Sequence, residues 1–190
     1  MGIFGWLSDR FGEADRKLSG TPQGAPAAPT GPSSEDVLET LARRSDALSV
    51  PTVERLGLLF DAKEWKWELD KDGDIASGWD GSMFYFRMVG KQKEILNVLA
   101  FRRGRIEREQ RNDLLLAIED WHRTHLWPKG YFRDSEGDTL EVCAEVNVDF
   151  EQGATDEQLL LQCRCAIGTI LQFFEDIDQR FGVPEESSES

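Results

Sequence analysis

LEVCAEVNVDFEQGATDEQLLLQCRCAIGTILQFFEDIDQRF, residues 140–181, decides the fold class. Its first part alternates. Leu140, Val142, Ala144, Val146, Val148 and Phe150 share one face; Glu141, Cys143, Glu145, Asn147 and Asp149 share the other. A period of two with one apolar face reads as a strand in an antiparallel sheet, one side on a core and the other towards water. The period then changes. Thr155 reads as a helix N-cap, with Gln158 three residues on to complete a capping box. Leu159, Cys163, Ala166, Ile170, Phe173, Ile177 and Phe181 follow at helical steps, and Leu160, Ile167, Leu171 and Phe174 make a second apolar row. The first row should cover the sheet. The second either widens the buried stripe or meets another subunit.

Upstream, the same two periods recur. Leu114, Ile118, Trp121 and His125, with Leu115 beside them, predict a helix over 108–126 that Pro128 stops. Gly130 to Arg133 reads as a short strand, and Glu136-Gly137-Asp138 as the turn that follows. Ile75–Trp79, Met83–Met88 and Ile95–Arg102 read as further strands, and Phe84, Phe86 and Met88 share a face. Trp65, Trp67 and Leu69 alternate with Lys66 and Glu68, which predicts one more strand before the Asp72-Gly73 turn. Pro51 opens a short helix carrying Val53, Leu56, Leu59 and Phe60; a serine at 33 or 34 caps another through about Leu48. The sum is an α+β domain: an antiparallel sheet with helices packed on one side.

The ends differ from this body. Residues 1–18 place Ile3, Phe4, Trp6, Leu7 and Phe11 on one side of an amphipathic arm. Residues 19–34, SGTPQGAPAAPTGPSS, have little to bury and read as a disordered linker. The domain is expected over 35–182, with an acidic, disordered tail at 183–190.

The 190-residue chain carries a net charge of −14, which repels nucleic acid and anionic lipid alike. No run of about 18 apolar residues is present to span a membrane. The start lacks a secretory pattern. Cys143, Cys163 and Cys165 are too few and odd in number for a disulfide framework, so a cytoplasmic location is expected.

Several segments in order resemble the YbjN family of sensory transduction regulators. PTVERLGLLFDAKEWKWELDKDGDIASGW (51–79) matches an opening helix and an aspartate-rich hairpin ending in Trp. FYFRMVGKQKEILNVLAFRR (84–103) matches paired central strands. LLLAIEDWHRTHLWPKGYF (114–132) resembles a helix with a Trp ahead of a lysine-bearing strand, although His122 stands where that pattern has Asn. EVCAEVNVDFEQGATDEQL (141–159) matches the closing strand and last helix, so the resemblance spans 51–182. It implies an α-β-β-β-α-β-β-α order like that of type III secretion chaperones, a domain able to form a homodimer, and no catalytic residues.

Few constellations carry chemistry. Asp70, Asp72 and Asp74 resemble half a calcium loop, but Gly73 is one place early and Gly81 stands where Glu is required. Glu119 and His122 form a single E-x-x-H, where a di-iron site needs two. No nucleophile elbow or phosphate loop occurs. The arginines of RRGRIERE (102–109) could clamp an acidic partner, and Glu141, Glu145 and Asp149 a basic one.

The expected function is a non-catalytic protein-binding module, chaperone-like or regulatory, with no cofactor and no metal. Trp65, Trp67 and Trp79 are the candidate contact surface on the domain, and Phe4, Trp6 and Phe11 on the arm. Two alternatives stand beside it. One is a metal-dependent hydrolase using Asp70, Asp72 and Asp74 with a histidine. The other is peripheral membrane association through the arm.

Overall fold

The computed structural model describes residues 48–182. In chain order the elements are α1 (Val53–Ala62), β1 (Glu68–Leu69), β2 (Ile75–Trp79), β3 (Ser82–Val89), β4 (Ile95–Phe101) and β5 (Ile106–Glu107). They continue with α2 (Arg111–Thr124), β6 (Lys129–Ser135), β7 (Thr139–Asp149) and α3 (Asp156–Phe181). The expected arm, the linker, most of the helix after it and the tail lie outside these residues.

The sheet has seven strands and every pairing is antiparallel. Strands β1 to β4 follow in order, and β4 lies against β7. Strand β6 lines the other side of β7, while β5 extends the β4 side at Thr139 and Leu140. Tight turns carry the hairpins. Asp80 and Gly81, with φ of 51° and 73°, join β2 to β3, and Gly137 and Asp138, at 70° and 59°, join β6 to β7. Positive φ at both central positions matches the right-handed twist of the strands they connect.

All three helices pack on one face. That face carries Phe84, Phe86 and Met88 from β3, Leu96, Val98 and Ala100 from β4, and Val142, Ala144 and Val146 from β7. Helix α3 is the main cover, and it begins with the expected capping box between Thr155 and Gln158. Its second apolar row is buried within the same chain, with Ile167 at 0%, Leu171 at 7% and Phe174 at 3% exposure. That settles the alternative left by the sequence: the row widens the buried stripe. Burying one such side chain contributes roughly 1.5–3 kcal/mol, so α3 is a principal source of stability.

Close approach of α3 to the sheet depends on Gly130. A Cβ there would stand 2.4 Å from Cζ of Phe173, so only a residue without a side chain lets that ring lie on β6. At the other end of the domain, Gly57 makes room for the Trp67 ring in the same way.

The structure departs from the sequence reading in four places. The strand expected from Trp65 shrinks to Glu68–Leu69. Its cause is the end of α1, where the Trp65 N–H donates to the Phe60 carbonyl at 2.9 Å and folds the indole back onto the Phe60 ring. Strand β5 was not expected; two residues are too short to show a period. Helix α2 starts at Arg111, after one turn of 3-10 helix over Arg108–Gln110, and Leu115 faces outward. Finally, the second face of β7 is not simply solvated, since Glu141 and Cys143 are buried on it.

Candidate interaction face of the sheet

The face opposite the helices is covered by no described element. Strand alternation and register place its side chains in rows. One row runs from Tyr85 through Leu99 and Glu145 to Lys129, and the next from Met83 through Phe101 and Cys143 to Tyr131. A third holds Arg87, Asn97 and Asn147. Large rings gather in the middle. Tyr85 meets Phe101 edge to face with centroids 5.8 Å apart. The Arg133 guanidinium lies 4.7 Å from the centre of the Phe101 ring, and the Lys129 ammonium 5.3 Å from that of Tyr131. These long side chains bury Leu99 and Cys143 beneath them, although no helix does so.

The charged groups around the rings are already bonded within the chain, with more cations than carboxylates among them. Glu141 accepts from Arg133 Nε at 2.5 Å on one oxygen and pairs with Arg105 at 2.6 Å on the other. Lys129 Nζ donates to Glu145 at 2.8 Å. Arg87 donates twice to the Asn97 carbonyl oxygen, at 2.9 and 2.7 Å, and Asn97 donates on to Asn147 at 2.7 Å. What remains to be offered is an aromatic and aliphatic patch inside a frame of internally bonded polar groups with a positive excess. Its two acidic protons are held back. Burial pushes the Cys143 thiol up to about 11, and burial is also the main reason the Tyr131 phenol lies above its ordinary value. A buried thiol of that kind is no nucleophile at neutral pH.

The residues expected to form a contact surface fall elsewhere. Trp65 and Trp79 are 8% and 6% exposed and belong to the core. They stand edge to face with centroids 5.9 Å apart, and Trp79 meets Phe86 at 5.6 Å. Trp67 is half-buried over Gly57, and its indole N–H donates to Asp61 at 2.8 Å. The hairpin therefore presents only part of the Trp67 ring, and the two outer tryptophans fill the volume between α1 and β3. Phe4, Trp6 and Phe11 lie outside the described residues, and so does the segment on which the membrane alternative depends.

The hydrolase alternative is overturned by topology. Asp70 Oδ1 accepts the N–H groups of Asp72 and Asp74, at 2.8 and 3.0 Å, so its carboxylate closes its own turn. Burial and the neighbouring Asp70 raise the Asp74 pKa. The histidines serve α2 at the far edge of the sheet. His122 Nε2 accepts the Gly130 N–H at 3.0 Å, and His125 stacks on Trp121 with centroids 3.7 Å apart. From β2 to β6 is four strand spacings, or about 19 Å. Among the described residues no group of three or more His, Cys, Asp or Glu could hold a metal ion.

The basic cluster is likewise occupied from within. Arg102, itself buried, donates to Asp178 at 2.6 Å and to the Gly182 carbonyl at 2.8 Å, so it ties β4 to the end of α3. Arg108 pairs with Asp134 and Asp138. Tyr85, Phe101 and Tyr131 each sit on the side of their strand turned away from the helices, so no core period marks them in the sequence. Only strand pairing brings them together.

Comparison with known proteins sets this geometry in a family. The chain matches over residues 52–179 the model of YbjN, described as "Putative bacterial sensory transduction regulator". The chain belongs to the YbjN family. A solved structure titled "Crystal structure of YbjN, a putative transcription regulator from E. coli" shares the fold, with a TM-score of 0.62. It is 14% identical and covers 73% of this chain and 100% of its own. Among curated proteins nothing matches. Among the described residues of this YbjN-family chain, no helix is long and apolar enough to cross a membrane.

Proposed function

We propose that this chain is a non-catalytic regulatory module of the cytoplasm that holds an apolar segment of a protein partner on the uncovered face of its sheet. One observation carries the reading: Tyr85 and Phe101 meet edge to face, with Tyr131 across Cys143 on the same face, which no described element covers, framed by charged groups that already have partners. Aromatic rings in such a setting contribute large contact area with few rotamers to lose, which is why they concentrate at interface hot spots. The internally bonded frame adds specificity through the polar rim. The family description as a regulator supports the same reading, as does a buried Cys143 that is unsuited to covalent chemistry.

The test compares affinity capture by the full chain with capture by a Tyr85→Ser, Phe101→Ser, Tyr131→Ser variant. Proteins held by the parent and released by the variant, with the variant's circular dichroism unchanged, are the expected result. A captured set identical for both chains rejects the face as the binding surface.

A further inference from the structure

Strand β3 turns Met83, Tyr85 and Arg87 outwards in succession, beside Phe101, Leu99 and Asn97 of β4. Met83 is 42% exposed, and Tyr85 and Arg87 are partly so. Consecutive members of such a row stand about 6.8 Å apart, twice the rise of a strand. The row therefore offers two apolar contacts and then a cation at even spacing. Arg87 differs from the other cations around the rings. Lys129 pairs with Glu145, and Arg133 and Arg105 share Glu141. Arg87 donates through Nε and Nη2 to one neutral oxygen, Oδ1 of Asn97, at 2.9 and 2.7 Å. Among the described residues its Nη1 amino group has no partner. Asp74, one position before β2 on the same row, feels the Arg87 charge but makes no ion pair with it among the described residues. Asn97 is 4% exposed and is itself fixed by donating to Asn147 at 2.7 Å, so the guanidinium is held in place before anything binds. A preset guanidinium loses little rotamer freedom on taking a carboxylate.

We infer that the partner segment held on the sheet face carries an acidic side chain that pairs with Arg87, set two residues from an apolar side chain that lies over Tyr85. The inference rests on the sheet face being the binding surface. Charge complementarity selects this occupant. A carboxylate supplies the Arg87 amino group with an acceptor and answers the excess of cations around the rings. A basic segment meets that excess with like charge. A wholly apolar one strips water from Arg87 and leaves its amino group without a partner, which is costly. Running extended along β3, the segment repeats the spacing of the row beneath it. Its pattern is therefore apolar-x-apolar-x-acidic, over Met83, Tyr85 and Arg87. The chain's net charge of −14 does not oppose this. The pairing is made at hydrogen-bonding distance, whereas charges elsewhere on the surface are screened beyond about 8 Å at physiological salt.

Selection of random dodecapeptides on the full chain, followed by fluorescence anisotropy of those recovered, tests the inference. Recovered peptides should carry Asp or Glu two positions from an apolar residue. Replacing that acid by its amide should weaken binding about fivefold on the parent and less than about twofold on Arg87→Gln. Arg87→Lys, which keeps the charge but not the planar fork, should retain part of the acid preference. Apolar peptides recovered with no acidic bias overturn the inference, and so does an acid-to-amide loss of equal size on Arg87→Gln. In either case the face itself stands if the Tyr85→Ser, Phe101→Ser, Tyr131→Ser variant releases the same peptides. Peptides that bind that variant as tightly as the parent overturn both. A library without binders overturns the inference, and the capture comparison then decides the face independently.

Discussion

Arg55 and Asp156, 101 residues apart in sequence, form a buried ion pair with 2.6 Å between Nε and Oδ1. The Arg55 guanidinium also donates to the carbonyls of Ser49 and Ala154, each at 2.8 Å, and to the Ser49 hydroxyl at 3.0 Å. One side chain of α1 thus holds the chain's entry point and the first residue of α3 together. Both partners are nearly excluded from water, at 4% and 6% exposure. Removing one leaves the other charge buried alone, which typically costs 3–5 kcal/mol. Asp156→Ala should lower the urea midpoint accordingly. Pairing it with Arg55→Leu should return part of the loss, because no orphan charge then remains. A double variant as unstable as the sum of the singles contradicts this account of the pair.

Gly130 faces Phe173 with no room for a methyl group. Gly130→Ala should destabilise by about 1–3 kcal/mol through overpacking. Phe173→Leu, made in the same chain, should relieve part of that cost by opening space over β6. Thermal unfolding of the two single variants and the double variant measures the coupling.

The Cys143 thiol has its pKa pushed by burial from 9.0 to about 11. The neutral form is the one the fold favours, so its contribution to stability is complete below pH 9 and declines as pH rises towards 11. In that window Cys143→Ala should flatten the fall in stability with pH. Alkylation of Cys143 in the native chain should be negligible at pH 7.5. Rapid labelling there by iodoacetamide, followed by peptide mapping, contradicts the burial argument.

Trp79 and Trp67 occupy one hairpin but different environments. Trp79→Ala should cost about 3–5 kcal/mol, the usual loss for a large buried ring. Trp67→Phe should lose mainly the hydrogen bond to Asp61, on the order of 1 kcal/mol. Denaturant midpoints of the two variants should therefore differ clearly. Equal effects mean that Trp67 bears as much of the core as Trp79.

Much of the architecture is legible along the chain because burial imposes a period. Phe84, Phe86 and Met88 mark one side of β3, and the leucines, isoleucines and phenylalanines of α3 mark its stripe, before any contact is known. The capping box at Thr155 is legible for the same local reason. Where the chain bends out of register the period misleads. Trp65 continues the alternation of Trp67 and Leu69, yet a hydrogen bond to Phe60 turns it into a core residue of the α1 corner. Of the candidate face only the β7 row of Glu141, Cys143, Glu145, Asn147 and Asp149 was legible, and its aromatic members were not. Nothing local distinguishes Tyr85 among the outward residues of β3, or Tyr131 among those of β6.

The sequence by itself determined the class of fold, the single-sided packing and the absence of familiar catalytic motifs, since these follow from local periodicity and from residue types at short spacing. Tertiary structure alone decided which tryptophans are buried, that Asp70 and His122 stand at opposite edges of the sheet, and that the aromatic rings of β3, β4 and β6 share one surface. The physical reason is register. Strand pairing joins residues up to 54 positions apart, as at Ile95 and Asp149, and that choice is made by the whole core at once.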